Sequence, residues 1–273
     1  RWVSVADREG DLYELLAAAL IPGAPAVLVR AQHNRQVVGP GPALLWEHIS
    51  AQPVAATVEI ALPRRAGLKA RRACCQIRFG SVTLQAPLLK EEQPALEGIY
   101  FIEVRETGVP AEQAIEWRLL TTLPVRGVQE AVEKVQWYLV RWQIEVFHRT
   151  LKSGCAVEEL QLDTLARLQR AIALKMMVAW RVMALAQCSR GPAGLVPACT
   201  LLAAEEITVL LALTKTPATA QSLTLHQAVR AIAGLGGFLG RKSDGQPGVL
   251  TLWRGLQRLH DMTAAALALK LCG

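Results

Sequence analysis

The hydrophobic period of this chain changes twice, and those changes limit the class of fold open to it. Up to residue 49 it reads as strand, helix, strand. Trp2-Val3-Ser4-Val5-Ala6 is a short apolar run, Asp11 stands where it can cap an amphipathic stretch over 12–20, and Pro22-Gly23 ends that stretch. Ala26-Val27-Leu28-Val29 then gives a second buried-strand run, expected beside the first in one sheet. Between 54 and 104 the period drops to two. Thr57-Val58-Glu59-Ile60, Gln76-Ile77-Arg78-Phe79, Ser81-Val82-Thr83-Leu84 and Tyr100-Phe101-Ile102-Glu103-Val104 carry the β-branched and aromatic content of antiparallel strands. One more apolar strand follows over 117–123. From 129 to 152 and again from 164 to 188, apolar residues recur at three- and four-residue steps, the period of a helix. Gly191-Pro192 and Gly194 mark a boundary, beyond which 200–213, 224–234 and 250–271 read as further helices. The expected class is α/β, with an antiparallel β insertion over 51–116 and a helical C-terminal region over 191–273.

Composition narrows the function. With 273 residues, 52% of them hydrophobic, the chain carries a sizeable core, which excludes disorder. The stretch 171–186 is the most apolar, but Lys175 and Arg181 interrupt it before the roughly 18 apolar residues that a bilayer span needs, so no membrane helix is expected. Thirty Lys and Arg against 23 Asp and Glu leave +7, which favours a polyanionic partner. A cationic stretch with Arg64, Arg65, Lys69, Arg71, Arg72 and Arg78 fits a solvated hairpin tip as well as a phosphate contact. Arg30, His33 and Arg35 follow the second strand and are open to the same two readings. The six cysteines show no C-x-x-C pair and read as reduced thiols, with Cys74 and Cys75 on opposite faces of a strand. The five histidines lack zinc-site spacing, and Gly236 to Ser243 lacks the strand and the Gly-Lys step of a phosphate-binding loop. The opening Arg1-Trp2-Val3 has no signal-peptide pattern and reads as part of something longer.

The most informative stretch is Trp137 to Lys152. At about 100° per residue, Tyr138, Arg141, Glu145, Arg149 and Lys152 fall on one narrow stripe about 21 Å long. On that wheel Trp137, Val140, Ile144, Phe147 and Leu151 form an apolar face to bury against a sheet. A lone carboxylate in a file of cations suits a phosphate backbone, with Glu145 contributing charge for a divalent metal. An exposed ladder explains the same spacing, since Arg141 and Glu145 are four residues apart.

Tyr138, Arg141, Glu145 and Lys152 stand at a spacing that resembles the Y-R-E-K motif of bacterial insertion-sequence transposases, the DDE cut-and-paste enzymes with an RNase H-like core. Asp7-Arg8-Glu9-Gly10-Asp11, after an apolar strand, looks like the family's D-R-E-x-D segment. Trp117-Arg118-Leu119-Leu120-Thr121-Thr122 looks like its W-x-L-L-T segment. Ala233-Gly234-Leu235-Gly236-Gly237-Phe238 and Trp253 resemble the glycine bend and following helix of its C-terminal dimerisation region. The resemblance implies a partial RNase H-like core over 1–50, completed over 117–190 by the last strand and the Glu145 helix, with dimerisation over 191–273. It implies that Asp7 and Glu145 are catalytic carboxylates holding two Mg²⁺ or Mn²⁺ ions. Tyr138, Arg141 and Lys152 would contact phosphates at a transposon end, and Trp117 would support a displaced base. Arg149 joins that phosphate stripe.

The implied reaction is metal-assisted phosphodiester hydrolysis at the ends of a transposable element, followed by strand transfer, in the bacterial cytoplasm at the nucleoid. Implied partners are double-stranded end DNA and a second copy of the chain or a full-length transposase. The family's first catalytic Asp and its N-terminal DNA-binding domain match nothing here, so weak or absent cleavage is expected. Two other readings remain open: a non-catalytic fragment that inhibits transposase by dimerising with it, and a helical structural domain with no nucleic-acid role.

Overall fold

The computed structural model describes residues 2–40, 43–62, 71–88, 92–110, 112–214, 216–241 and 243–271, with residues 270 and 271 described by backbone alone. It falls into two compact units, Arg1–Trp142 and Gln143–Gly273. Arg64, Arg65, Lys69 and Cys272 lie outside the described residues.

The first unit is built on one mixed sheet. Among the described residues it contains β1 (Val3–Ala6), β2 (Ala26–Arg30), β3 (Val37–Val38), β4 (Ala56–Leu62), β5 (Arg71–Leu84), β6 (Leu96–Glu106) and β7 (Glu116–Thr121). Strand order is β1-β2-β7-β6-β5-β3, with β4 also paired to β5. β1 and β2 are neighbours, as expected, and run parallel with Val3 opposite Ala26, the direction that the intervening helix allows. Every other pairing is antiparallel. The two segments read separately over 76–84 are one 14-residue strand, β5, with an irregularity between Val82 and Leu84. The antiparallel block does not stand apart from the opening strands: β6 pairs with β7, and β7 with β2, so hydrogen bonding runs through all of them.

Helices cover both faces of this sheet. On one, Leu16 of α1 (Tyr13–Ala19) and Leu45 and Ile49 of α2 (Leu45–Ser50) pack on Val27, Val29, Phe101 and Leu120. On the other, Ala131, Val135 and Tyr138 of α3 (Val128–Val140) pack on Leu28, Ile77, Ile102, Val104, Trp117 and Leu119. Alternation along each strand supplies both faces, which is why β2 is buried almost throughout.

Asp11 does not cap α1. Leu12 holds the N-cap position without a side-chain bond. Asp11 is instead buried and accepts the backbone N–H groups of Gln32 at 2.7 Å and His33 at 2.9 Å, and its Oδ1 pairs with Arg35 at 2.6 Å. It fixes the loop that leaves β2.

The second unit is helical: α4 (Gln143–Arg149), α5 (Leu165–Cys188), α6 (Ala204–Leu213), α7 (Leu225–Leu235) and α8 (Val249–Leu271). Thr164 caps α5 through the Arg167 N–H, and Thr224 and Gln227 form a capping box on α7. The core joins Val182 and Leu185 of α5, Ile207 and Leu210 of α6, Val229 and Ile232 of α7, and Leu252, Leu256 and Leu259 of α8. The helices α7 and α8 meet backbone to backbone: a Cβ on Gly255 would lie 1.8 Å from the Ile232 carbonyl oxygen.

Contrary to the expectation from Lys175 and Arg181, α5 is long and apolar enough to cross a membrane by length and composition, with a mean hydropathy of 1.4 over its best window. Both cations are engaged within the unit. Lys175 donates to the carbonyl oxygens of Cys155 and Ala156, and Arg181 pairs with Glu206 at 2.6 Å. The C-terminal turns of α5 belong to the helical core.

The single helix expected over 129–152 is broken. The helix α3 ends at Val140, Arg141 and Trp142 form a turn, α4 covers Gln143–Arg149, and Thr150–Gly154 is a π-helical turn. One wheel therefore does not carry through the stretch, because a lost hydrogen bond and a wider turn each change its register. The apolar face does not close either: Leu151 is buried, but Val140 and Ile144 are 53% and 48% exposed.

Candidate nucleic-acid interface

β1 delivers its last residue, Ala6, to the carboxyl end of the parallel pair, and Asp7 follows as the chain leaves the sheet. Asp7 caps a single 3-10 turn, Arg8–Gly10, with Oδ1 accepting the Arg8 N–H at 2.9 Å. Gly10 permits the close return of the chain, since a Cβ there would lie 2.5 Å from the Ala6 Cβ.

Three side chains converge on this carboxylate. Arg141, at the end of α3, places Nη2 3.0 Å from Oδ2. Tyr138, one turn earlier, donates its hydroxyl to Oδ1 at 3.3 Å. Arg30, the last residue of β2, brings Nη1 to 3.9 Å from Oδ1 and donates through Nη2 to the Glu116 carbonyl at 3.2 Å. Trp117 is buried on the sheet face beneath α3, and its ring meets that of Tyr138 edge to face at 5.4 Å between centroids. The indole sets the Tyr138 hydroxyl at the core's edge and presents no open face to a base. Burial raises the Tyr138 hydroxyl above its ordinary pKa, with Arg30 acting in the opposite sense, so at neutral pH it is a protonated donor.

Tyr138, Arg141 and Arg30 thus form one cluster, and Asp7 fills it. The Asp7 side chain is 35% exposed and those of Arg30 and Arg141 about one fifth, so the ion pairs are partly solvated and worth about 1 kcal/mol or less each. Guanidinium donors that accept a carboxylate oxygen also accept a phosphate oxygen, and they exchange one for the other at small cost. Sequence pattern does not mark this arrangement: 131 residues separate Tyr138 from Asp7.

Asp7 does not by itself complete a site for a divalent ion. Asp7 brings one carboxylate, both of its oxygens are engaged, and two guanidinium groups face it, whereas Mg²⁺ takes several oxygen ligands. Among the described residues no group of three or more His, Cys, Asp or Glu side chains could hold a metal.

The other expected site residues belong to the second unit and are described within it. Glu145 and Arg149 are exposed on α4. Lys152 lies in the π-helical turn and pairs with Glu158 at 2.8 Å, a hydrogen bond that raises its pKa above the ordinary value. The five-residue stripe is therefore divided, with Tyr138 and Arg141 in one unit and Glu145, Arg149 and Lys152 in the other.

Residues 177–268, from within α5 to near the end of α8, match the family model of the Tn5 transposase dimerisation domain. The helical core of the second unit is thus similar to a transposase domain named for pairing two chains, which supports a transposase-related role and a homodimer.

Proposed function

We propose that this chain binds a DNA strand through the cationic cluster at the carboxyl edge of β1 and β2, and pairs with a second copy through its C-terminal helices. The observation that carries the reading is the convergence of Arg30, Arg141 and Tyr138 on a single carboxylate at that edge. Ligands of open α/β sheets bind outside the carboxyl ends of parallel strands, which is where this cluster lies. Asp7 stands in the place of a phosphate oxygen, and DNA competes with it for Arg30 and Arg141. The net charge of +7 favours the encounter.

Cleavage and strand transfer, which the resemblance to DDE transposases implies, are not part of this proposal, because among the described residues of its unit Asp7 is the one carboxylate at the cluster and is engaged by Arg30, Arg141 and Tyr138. A chain that binds and pairs without cutting would form mixed dimers with an intact transposase and inhibit it. The similarity of residues 177–268 to a dimerisation domain favours that second role.

The test is the affinity of Asp7→Asn for duplex DNA. Removing a carboxylate that competes with phosphate should tighten binding about fivefold, the equivalent of one partly exposed ion pair. Unchanged or weaker binding by Asp7→Asn would refute the substitution of phosphate for Asp7.

A further inference from the structure

Next to the Asp7 cluster, and sharing Arg30 with it, the same edge of the sheet opens into a cleft of about 270 Å³. Arg8 reaches it from the turn after β1, Arg30 and Gln32 from the end of β2, Trp46 from α2, and Glu116 and Arg118 from the start of β7. Three guanidinium groups face one carboxylate. We infer that this cleft is a second subsite that holds one nucleotide of a DNA strand, its phosphate between Arg8 and Arg30 and its base against the Arg118–Trp46 pair; the inference rests on the DNA-binding reading above.

The walls are held in place before any ligand arrives. Arg118 lies over the Trp46 ring at 4.7 Å, and is anchored from behind by Glu103, fully buried, with Nε 3.4 Å from Oε1, and by Glu116. Gln32 is fixed through its backbone N–H, which donates to Asp11. Arg30 is tied to the Glu116 carbonyl at 3.2 Å. Arg8 is exposed and has no carboxylate partner among the described residues, so its charge is available to an incoming anion.

A flat guanidinium on an indole is a stacking surface that every base can use, and Gln32 offers an amide donor and acceptor to a base edge. The cleft's volume lies just under the roughly 300 Å³ at which small-molecule clefts begin, enough for one nucleotide and too small for a duplex. A bare anion would leave the Trp46 wall unused, and the Arg8 charge disfavours an uncharged apolar ligand. Of the two subsites, the Asp7 cluster takes a phosphate alone, and the cleft takes a phosphate with its base.

The experiment titrates the full chain with a ten-nucleotide thymidine strand, with thymidine monophosphate and with inorganic phosphate, following tryptophan fluorescence. Wild type and Arg8→Ala, Trp46→Phe and Arg141→Ala are compared at about 50 mM salt, where phosphate contacts are strong. The expected result is quenching by the strand and the mononucleotide, its loss in Trp46→Phe, and about tenfold weaker strand binding by Arg8→Ala. The salt slope of Arg8→Ala should also fall by about 0.7, one single-strand phosphate contact. Arg8 is exposed, and a thermal melt equal to wild type confirms that its loss acts on binding alone. Strand affinity of Arg8→Ala within twofold of wild type overturns the subsite. Inorganic phosphate binding as tightly as the mononucleotide overturns the base-binding half. If Arg141→Ala weakens the strand while Arg8→Ala and Trp46→Phe behave as wild type, the subsite is wrong and the DNA-binding reading stands. If wild type binds no strand, both fall.

Discussion

Replacing Asp11 with Ala should destabilise the first unit far more than an ordinary substitution at the start of a helix. Asp11 is buried, and its carboxylate answers three donors at once: the N–H groups of Gln32 and His33 and the guanidinium of Arg35, whose side chain is itself only 9% exposed. Breaking a buried ion pair from one side costs about 3–5 kcal/mol, because the other charge is left without a partner. The two orphaned N–H groups are half-buried and add to that only in part, since water can reach them. A net loss of about 4 kcal/mol corresponds to a fall of about 8–16 °C in the melting temperature of a unit of this size. Asp11→Asn keeps one acceptor and loses the charge, so about half the effect is expected. Asp11→Ala with Arg35→Ala should cost less than the two changes summed, because the second removes the stranded charge. Thermal unfolding followed by circular dichroism at pH 7 reads all five proteins: wild type, Asp11→Ala, Asp11→Asn, Arg35→Ala and the double variant. A melting temperature for Asp11→Ala within 2 °C of wild type would refute the role given to this carboxylate, and with it the rigidity of the loop that positions Gln32.

Burial pushes the Cys75 thiol up to about 11, whereas Cys74 points to solvent. Iodoacetamide at pH 8 should therefore modify Cys74, Cys188 and Cys199 within minutes and leave Cys75 and Cys155 unmodified until denaturant is added, as peptide mass mapping would show. Glu106 is held below the ordinary carboxyl range chiefly by its hydrogen bond from Arg71. A depressed folded-state pKa stabilises fully above the unfolded value of about 4.3, and that contribution disappears as pH falls through the lower folded-state value. Glu106→Gln lacks it, so the gap in stability between wild type and variant should narrow below pH 4; a constant gap would contradict the assignment. Incubation with end duplex and Mn²⁺ should give no nicking above background, and robust nicking abolished by Glu145→Ala would overturn the non-cleaving reading. Gly255→Ala sets a Cβ against the Ile232 carbonyl, so α7 and α8 must separate, and a loss of about 2 kcal/mol or more in denaturant unfolding is expected.

Local signals located most elements and few of their partners. That β1 and β2 are sheet neighbours was legible from two short apolar runs bracketing a helical stretch; their parallel direction follows from that helix joining them. Thr164 and Thr224 mark the starts of α5 and α7 because an N-cap is a contact within four residues. A period of two shows that β6 has a buried face, but not that Tyr100 lies opposite Thr121 of β7, so the merging of the β block into one sheet was invisible. The break after Val140 has no Gly or Pro to announce it, and the π-helical turn depends on packing, with Thr150 bonding back to the Val146 carbonyl and Gly154 set against Trp253. Of the site, Asp7, Arg30, Tyr138 and Arg141 were each named from the chain. Their mutual engagement was not, since residues on separate elements share no periodicity. Arg8 lay inside the D-R-E-x-D match without a role assigned to it, and Trp46 and Arg118 matched no motif position; the alternation that faces Trp117 toward α3 turns Arg118 to the opposite side.

Whether the cluster at Asp7 meets DNA is decided by the salt dependence of duplex binding, compared between wild type and the Arg30→Ala/Arg141→Ala double variant. If both guanidinium groups take strand phosphates, the plot of log affinity against log salt should be shallower in the double variant by about 1.8, two contacts of about 0.9 each. Parallel lines of equal slope would show that the cluster at Asp7 does not meet the phosphate backbone.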